Sequence, residues 1–277
     1  STGLIRSTIP NRATLIVAFS GGPDSSALLA GLSVLSEKKY FNLIACHVNH
    51  QILLDTSETD QAAAKTIAES LGVEFIGITV DVPKASKEQK VSIETAGRTL
   101  RYEILSQLSE KYDAYGVVTG HTKDDQAETV LLHAIRGTGL KGLVGMEYRT
   151  TLKSPKYETK LTILRPLLDI SRSTIISYCK QRNIQPVIDS SNTDKKYTRN
   201  KIRLDALPVL EAASPGAKHA LARLAENVSD DLEVVNWIVR RELQQAAYSD
   251  NRYSRSAINR LPVYLIGRVL MIGYRNH

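Results

Sequence analysis

Cysteine is scarce in this 277-residue chain. Its two cysteines, Cys46 and Cys179, stand far apart, which excludes a disulfide framework and leaves no Cys-x-x-Cys pair for zinc or an iron–sulfur cluster. Long apolar runs are missing as well: none approaches the roughly 18 residues that a membrane-spanning helix needs. No signal-peptide pattern opens the chain. Ser1-Thr2-Gly3 begins it without Met, which reads as a processed or trimmed start, and the cytoplasm is the expected compartment. Internal repeats and low-complexity tracts are absent, so neither a solenoid nor a disordered tail is expected. A Walker A loop is also lacking, because no Gly-Lys-Ser/Thr follows the one glycine turn placed to hold a phosphate.

What is present is ordinary for a globular protein: 42% hydrophobic and 23% charged residues, enough chain for one large domain or a large and a small one. The formal net charge is +7. Excess Lys and Arg favours a polyanionic partner, since they displace counterions from phosphates.

The chain is organised around Ser20-Gly21-Gly22-Pro23-Asp24-Ser25-Ser26. The apolar run Leu15–Phe19 before it predicts a buried strand. Ala27, Leu28, Gly31, Leu32 and Leu35 after it recur at helical spacing, and Pro23 suits a first helical turn. A glycine turn between strand and helix aims backbone N–H groups and the positive end of a helix dipole at one point, which suits phosphate. Ser20, Ser25 and Ser26 add hydroxyl donors. Asp24 would repel a bound anion directly, so its carboxylate is expected to work through Mg²⁺.

Alternation of strands and helices continues, predicting an α/β fold with a parallel sheet covered by helices on both faces. Strands are expected at Leu43–Val48, Val73–Val82 and Tyr115–Thr119. A helix with Ala63, Ala64, Ile67, Ala68 and Leu71 on one face ends at Gly72. Lys84–Lys90 reads as an exposed loop. Ser92 is expected to cap a helix burying Ile93, Ala96, Leu100, Ile104 and Leu108. Glu94, Arg98 and Arg101 share a stripe of that helix, where one arginine is expected to face phosphate. Ligands in such folds sit at the carboxyl ends of strands, which puts Ser20–Ser26, His47–His50 and His121–Glu128 on one rim.

At that rim Thr122 and Asp125 imitate a capping box. Asp125 and Glu128, three apart on a helix, are close enough to share a metal or a cationic ligand. The stretch 136–145, with Gly137, Gly139, Gly142 and Gly145, reads as a mobile lid without a stable element. From about Ser214 onward only helices are expected, with Leu221, Leu224, Ala225, Val228, Leu232, Val235 and Ile238 facing a core and another helix over 261–272. The domains are therefore placed at 1–213 and 214–277, divided at Ser214-Pro215-Gly216.

The string SGGPDSS resembles the SGGxDS pyrophosphate loop of ATP pyrophosphatases. The whole series then resembles the tRNA(Ile)-lysidine synthetase family: His47-Val48-Asn49-His50, Glu94…Arg98…Arg101-Tyr102, Gly120-His121…Glu128-Thr129, Arg136–Leu140, Arg165-Pro166-Leu167-Leu168, Asp189-Ser190-Ser191-Asn192 and Arg199-Asn200-Lys201-Ile202-Arg203. Two departures stand out. Gln51-Ile52-Leu53 replaces the family's Gly-Leu-Arg, and many members carry another domain beyond a point matching the end of this chain.

The resemblance implies an adenine nucleotide alpha-hydrolase-like, Rossmann-like fold followed by a small all-α domain. It implies a ligase using ATP and Mg²⁺: the C2 oxygen of the wobble cytidine of isoleucine tRNA (CAU anticodon) is adenylated with loss of pyrophosphate. Free L-lysine then displaces AMP. Ser20, Gly21, Gly22, Pro23, Asp24, Ser25 and Ser26 would hold pyrophosphate, and His47 would lie against the adenosine. Arg199 and Arg203 would fold back onto nucleotide phosphates. Asp24 and Asp125 would carry Mg²⁺, Asp125 and Glu128 would alternatively take the lysine ammonium, and His121 would orient cytidine or phosphate. No membrane partner is implied, and a homodimer is left open. A tRNA thiolase would share the loop but commonly uses paired cysteines that this chain lacks, and an RNA-binding protein without catalysis would leave the loop and acids unexplained.

Overall fold

The computed structural model describes residues 9–39, 41–51, 54–153, 160–187, 198–249 and 252–275. The stretches holding Asp189–Asn192 and Asp194–Tyr197, and positions 52 and 53, lie outside them.

The apolar run after Ala13 forms β1 (Thr14–Ala18), whose Leu15, Ile16 and Val17 are all fully buried. A strand buried on both faces belongs in the middle of a helix-covered sheet, and β1 sits there. It pairs in parallel with β2 (Asn42–Asn49) on one side and β4 (Ala114–Thr119) on the other. Beyond β2 lies β3 (Glu74–Thr79); beyond β4 come β6 (Lys160–Leu164) and then β5 (Arg149–Lys153). Among the described strands of this sheet only β5, paired with β6, runs antiparallel. This hairpin has no counterpart among the expected elements.

Alternate side chains of the sheet build two cores. Leu15, Val17 and Phe19 pack with Leu28, Leu29 and Leu32 of α1 (Pro23–Lys39) and with Ala64 and Ala68 of α2 (Leu54–Ser70). Ile16, Ile44, Cys46, Val117 and Ile163 pack on the opposite face with Ile104, Leu105 and Leu108 of a later helix. Truncating one such side chain to Ala costs roughly 2–5 kcal/mol. Both cysteines are buried and free.

Two expectations on this side of the sheet are corrected. Val80 and Val82 do not extend β3. Val82 opens α3 (Val82–Gln89), so Lys84–Lys90 is largely helix rather than loop. Its start is set by capping rather than periodicity: Asp81 accepts from the Lys84 amide at 2.8 Å, and Pro83 sits in the first turn. Lys90, with φ +53°, ends it. Ser92 then caps α4 (Ile93–Lys111) as expected, accepting from the Thr95 amide at 3.1 Å. Ile93, expected inside, is exposed.

The remaining elements are α5 (Lys123–Ile135), α6 (Leu140–Leu143), α7 (Arg172–Gln181), α8 (Thr198–Lys201), a π-helical turn Ile202–Ala206, α9 (Leu207–Ala213), α10 (Ala217–Ala246), the hairpin β7 (Ala247–Ser249) and β8 (Arg252–Tyr253), α11 (Arg255–Ile258) and α12 (Val263–Arg275). The glycine-rich stretch is not without structure. It includes α6, and Gly142 lies so close to Thr138 that a Cβ there would clash with its side chain.

The chain divides into two compact units. One comprises Ser1–Thr129 with Met146–His219 and holds the sheet; the other comprises Val130–Gly145 with Ala220–His277. In the second, Val239, Leu243, Ala246, Ile258 and Val269 form the core. The buried stripe of α10 includes Ala222, Ala225 and Val228, whereas Leu224, expected inside, is 41% exposed. The small β7–β8 hairpin adds a strand pair to a segment expected to be purely helical.

Candidate active site

The site grows from the turn between β1 and α1. Gly21 has φ +81°, and a Cβ there would stand 3.0 Å from Val187 and 3.2 Å from Ala64, so conformation and space both demand glycine. The serines wire the turn internally. Ser25 Oγ donates to the Gly22 carbonyl at 3.1 Å and accepts from the Ser20 amide at 3.3 Å; Ser20 Oγ accepts from the Gly22 amide at 3.3 Å. Ser26 is fully buried and donates to the Gly21 carbonyl at 2.9 Å. Its hydroxyl braces the turn from beneath rather than standing ready as a surface donor.

Asp24, in the first turn of α1, has one carboxylate oxygen 3.6 Å from the guanidinium of Arg172. The other oxygen, Oδ1, is buried and has no hydrogen-bond partner among the described residues. Burial pushes this carboxyl above its ordinary range, Arg172 opposes that, and Asp125 and Asp124 add to it. A carboxylate with a spare, desolvated oxygen beside a phosphate-type turn fits a hard divalent cation.

The carboxyl end of β4 closes against this turn. A Cβ on Gly120 would lie 3.0 Å from both the carbonyl carbon of Asp24 and the amide nitrogen of Ser25. Backbone therefore meets backbone where the two rim motifs touch. Thr119 Oγ1 lies 2.7 Å from His121 Nδ1, and burial drives this imidazole down to about 4, against the pull of Asp125. At pH 7 it is neutral. The capping box forms as expected: Asp125 Oδ2 accepts from the amide and hydroxyl of Thr122 at 2.9 and 2.8 Å, and Thr122 Oγ1 accepts from the Asp125 amide at 3.3 Å.

The acids of α5 are neither solvent-facing nor free. Glu128 is 1% exposed and Asp125 9%. Arg199 Nε donates to Glu128 Oε2 at 2.9 Å, and Arg203 meets both Glu128 oxygens, at 2.5 and 3.1 Å. Asp125 Oδ1 accepts from both arginines, at 3.3 and 3.1 Å. Burial alone would raise the Asp125 carboxyl, but Arg199, His121 and the two Thr122 hydrogen bonds hold it below its ordinary value. Arg199 and Arg203 thus fold back onto acids rather than lying open toward a phosphate site. The physical reason is desolvation: two carboxylates on a buried helix face need cationic partners.

Other expected residues make contacts of their own, and Arg98 is close enough for its charge to act on His121. His47 is buried, with Nδ1 3.0 Å from the Phe19 carbonyl and its ring stacked on Phe75, and burial lowers its pKa. It braces the end of β1. Arg101 lies exposed, 3.4 Å from His50 Nε2. Arg98 is exposed over the ring of Tyr102, at 4.9 Å.

Arg172 is not among the expected site residues, because α7 is not among the expected elements. Its start is nonetheless marked by Ser171, which accepts from the Thr174 amide. Asp124 was placed near the site without a role; it accepts from the Arg172 amide at 2.8 Å and from Lys218 at 3.4 Å.

A PP-loop domain model matches residues 4–210. The chain is 36% identical over 246 residues to a tRNA(Ile)-lysidine synthase of Clostridium perfringens, covering 88% of this chain and 50% of that one. It is likewise 36% identical over 248 residues to a tRNA(Ile)-lysidine synthase of Parabacteroides distasonis, covering 90% and 53%. The chain spans about half the length of the curated relatives it matches. Among solved structures, a tRNA thiolase of Methanococcus maripaludis superposes with a TM-score of 0.64 at 22% identity, covering 80% of this chain and 74% of that one. That similarity is one of fold.

Proposed function

We propose that this chain, which belongs to the PP-loop domain family, carries the catalytic part of a tRNA(Ile)-lysidine synthetase. Membership of a PP-loop domain implies use of ATP. The observation that best supports the reading is Asp24: a carboxylate with a buried, unpaired oxygen, beside a glycine turn that lacks a Walker lysine.

In this reading ATP adenylates the C2 oxygen of the wobble cytidine of isoleucine tRNA and pyrophosphate leaves. The amine of free lysine then attacks C2 and AMP departs. The turn Ser20–Ser25 receives the pyrophosphate, its backbone donors opposing charge that grows on the leaving group. Ser26 keeps the turn in shape. Asp24 would hold Mg²⁺, which when bound neutralises phosphate charge. Asp125 is the poorer metal ligand, since hydrogen bonds and ion pairs take both its oxygens. His121, neutral and oriented by Thr119, accepts or donates a hydrogen bond at the cytidine or a phosphate without adding charge.

The lysine ammonium would seat on Asp125 and Glu128 by taking hydrogen-bonding positions now held by Arg199 and Arg203. The latter two would then be free to turn toward phosphate. The catalytic part is taken as residues 1–213, with 214–277 as an appended, mainly helical domain, acting in the cytoplasm.

Incubating the protein with ATP, bulk tRNA and labelled lysine tests this. Label entering tRNA, with AMP and pyrophosphate as nucleotide products, is the expected result. Release of ADP and inorganic phosphate, or tRNA modification that requires a sulfur donor instead of lysine, overturns it.

A further inference from the structure

The turn between β1 and α1 lacks the lysine that usually neutralises a terminal phosphate, yet a phosphate chain bound there carries several negative charges. The structure holds a cation in the right place, delivered by another element. α7 lies across the first turn of α1: Ile175 and Cys179 pack with Ala27, and Cys179 Sγ lies 3.5 Å from the Pro23 carbonyl. The first residue of α7, Arg172, is fixed at its backbone by the 2.8 Å hydrogen bond to Asp124, while the neighbouring Ile170 carbonyl accepts from the Lys123 amide at 3.0 Å. Two helix starts, α5 and α7, are thereby tied together, and the side chain of Arg172 reaches Asp24 at 3.6 Å.

That contact is long, and it engages only one of the two Asp24 oxygens. The Arg172 side chain is 33% exposed, so it keeps access to whatever occupies the turn. A guanidinium on a fixed backbone, held loosely by a carboxylate that would otherwise serve a metal ion, is poised to exchange partners.

We propose that Arg172 is a phosphate-binding residue that takes the part of the absent loop lysine. Without nucleotide its charge rests on Asp24. With a nucleotide in the turn it donates to the β or γ phosphate, which stays behind as pyrophosphate after adenylation. Several donors on a planar fork suit phosphate oxygens better than one ammonium does. The inference rests on the ATP-pyrophosphatase reading of the turn, and it adds a residue to that site from an element outside the turn.

Isothermal titration of the wild type, Arg172→Ala and Arg172→Lys with ATP, pyrophosphate and AMP in the presence of Mg²⁺ tests it. Loss of one charge-assisted contact should weaken ATP and pyrophosphate binding by about 10- to 100-fold, leave AMP binding nearly unchanged, and be partly restored by lysine. Thermal unfolding of each variant separates misfolding from lost contacts, because a disturbed α7 would lower AMP affinity as well. If Arg172→Ala binds ATP and pyrophosphate as the wild type does, the proposal is overturned while the pyrophosphatase reading stands. If the wild type itself binds neither, both fall.

Discussion

Arg203 closes a buried loop of charge with Glu128, meeting both of its carboxylate oxygens across a separation of 75 residues and reaching Asp125 with the same guanidinium. Sequence spacing alone would make Asp125 and Glu128 open receptors for a cation. Folding has already given them two.

Glu128 therefore matters to stability as well as to substrate. Replacing it with Ala leaves Arg199 and Arg203 without their main partner in a largely desolvated place. Removing one member of a fully buried pair costs roughly 3–5 kcal/mol; since both arginines are a quarter to a third exposed, about 2 kcal/mol is expected here. Urea unfolding measures it. A Glu128→Ala protein of unchanged stability that has lost only lysine affinity would show that the ion cluster contributes nothing to the fold.

Acid should destabilise the protein in two adjoining steps. His121 takes up its proton near pH 6.5 when unfolded and only at about 4 when folded, so the unfolded chain binds more protons between these values. Stability falls as pH drops through that window. Asp125 is held below its ordinary value when folded, so its contribution is intact above about pH 4 and disappears below it. Unfolding at pH 7, 5, 4 and 3 should show the first slope flattened in His121→Gln. The second, below pH 4, should be flattened in Asp125→Asn.

Gly120→Ala tests the backbone contact between the two rim motifs. Its methyl group would meet the Asp24–Ser25 peptide at 3.0 Å, and no flexible side chain is there to give way. Overpacking of this kind costs about 1–3 kcal/mol, and the displaced turn should lower ATP turnover more than tenfold. Steady-state AMP release and a melting curve suffice. Activity near the wild type would mean that the two motifs move independently.

RNA affinity has its own expected source. Lys195, Lys196, Arg199, Lys201 and Arg203 stand in one run with a single acid, Asp194. Arg199 and Arg203 are committed to acids, which leaves the lysines. Lys195→Ala with Lys196→Ala, at positions outside the described residues, should weaken tRNA binding and flatten its salt dependence while ATP binding hardly changes. Equal affinity at every salt concentration would move the footprint elsewhere.

The parts of the fold legible in the sequence were those governed by local pattern. The β1 run, the Pro23 helix start, the Ser92 cap and the Thr122–Asp125 box each depend on residues within a few positions of one another, and each stands where expected. Failures had two causes. α3 gives no periodicity because Val82 is its single buried residue, and its local signal is the Asp81 cap. The β5–β6 hairpin and α7 went unseen, and Arg172 with them. Long-range pairing was the other blind spot. Nothing local says that Arg199 and Arg203 return to Glu128, or that Leu224 rather than Ala222 faces solvent on α10.

The strand order carries a consequence for how the protein is made. Thr14 of β1 pairs with Asn42 on one side and with Ala114 on the other, so the second partner follows 72 residues after the first. During synthesis β1, β2 and β3 can pair as soon as they emerge, but the far edge of β1 then stays open until β4 arrives. That edge is a largely apolar, unpaired strand, the kind of surface that recruits other chains. Most of the sheet domain's folding time should accordingly be spent waiting for that one closure, and slowing translation within residues 80–113 should increase aggregation more than slowing it after residue 120.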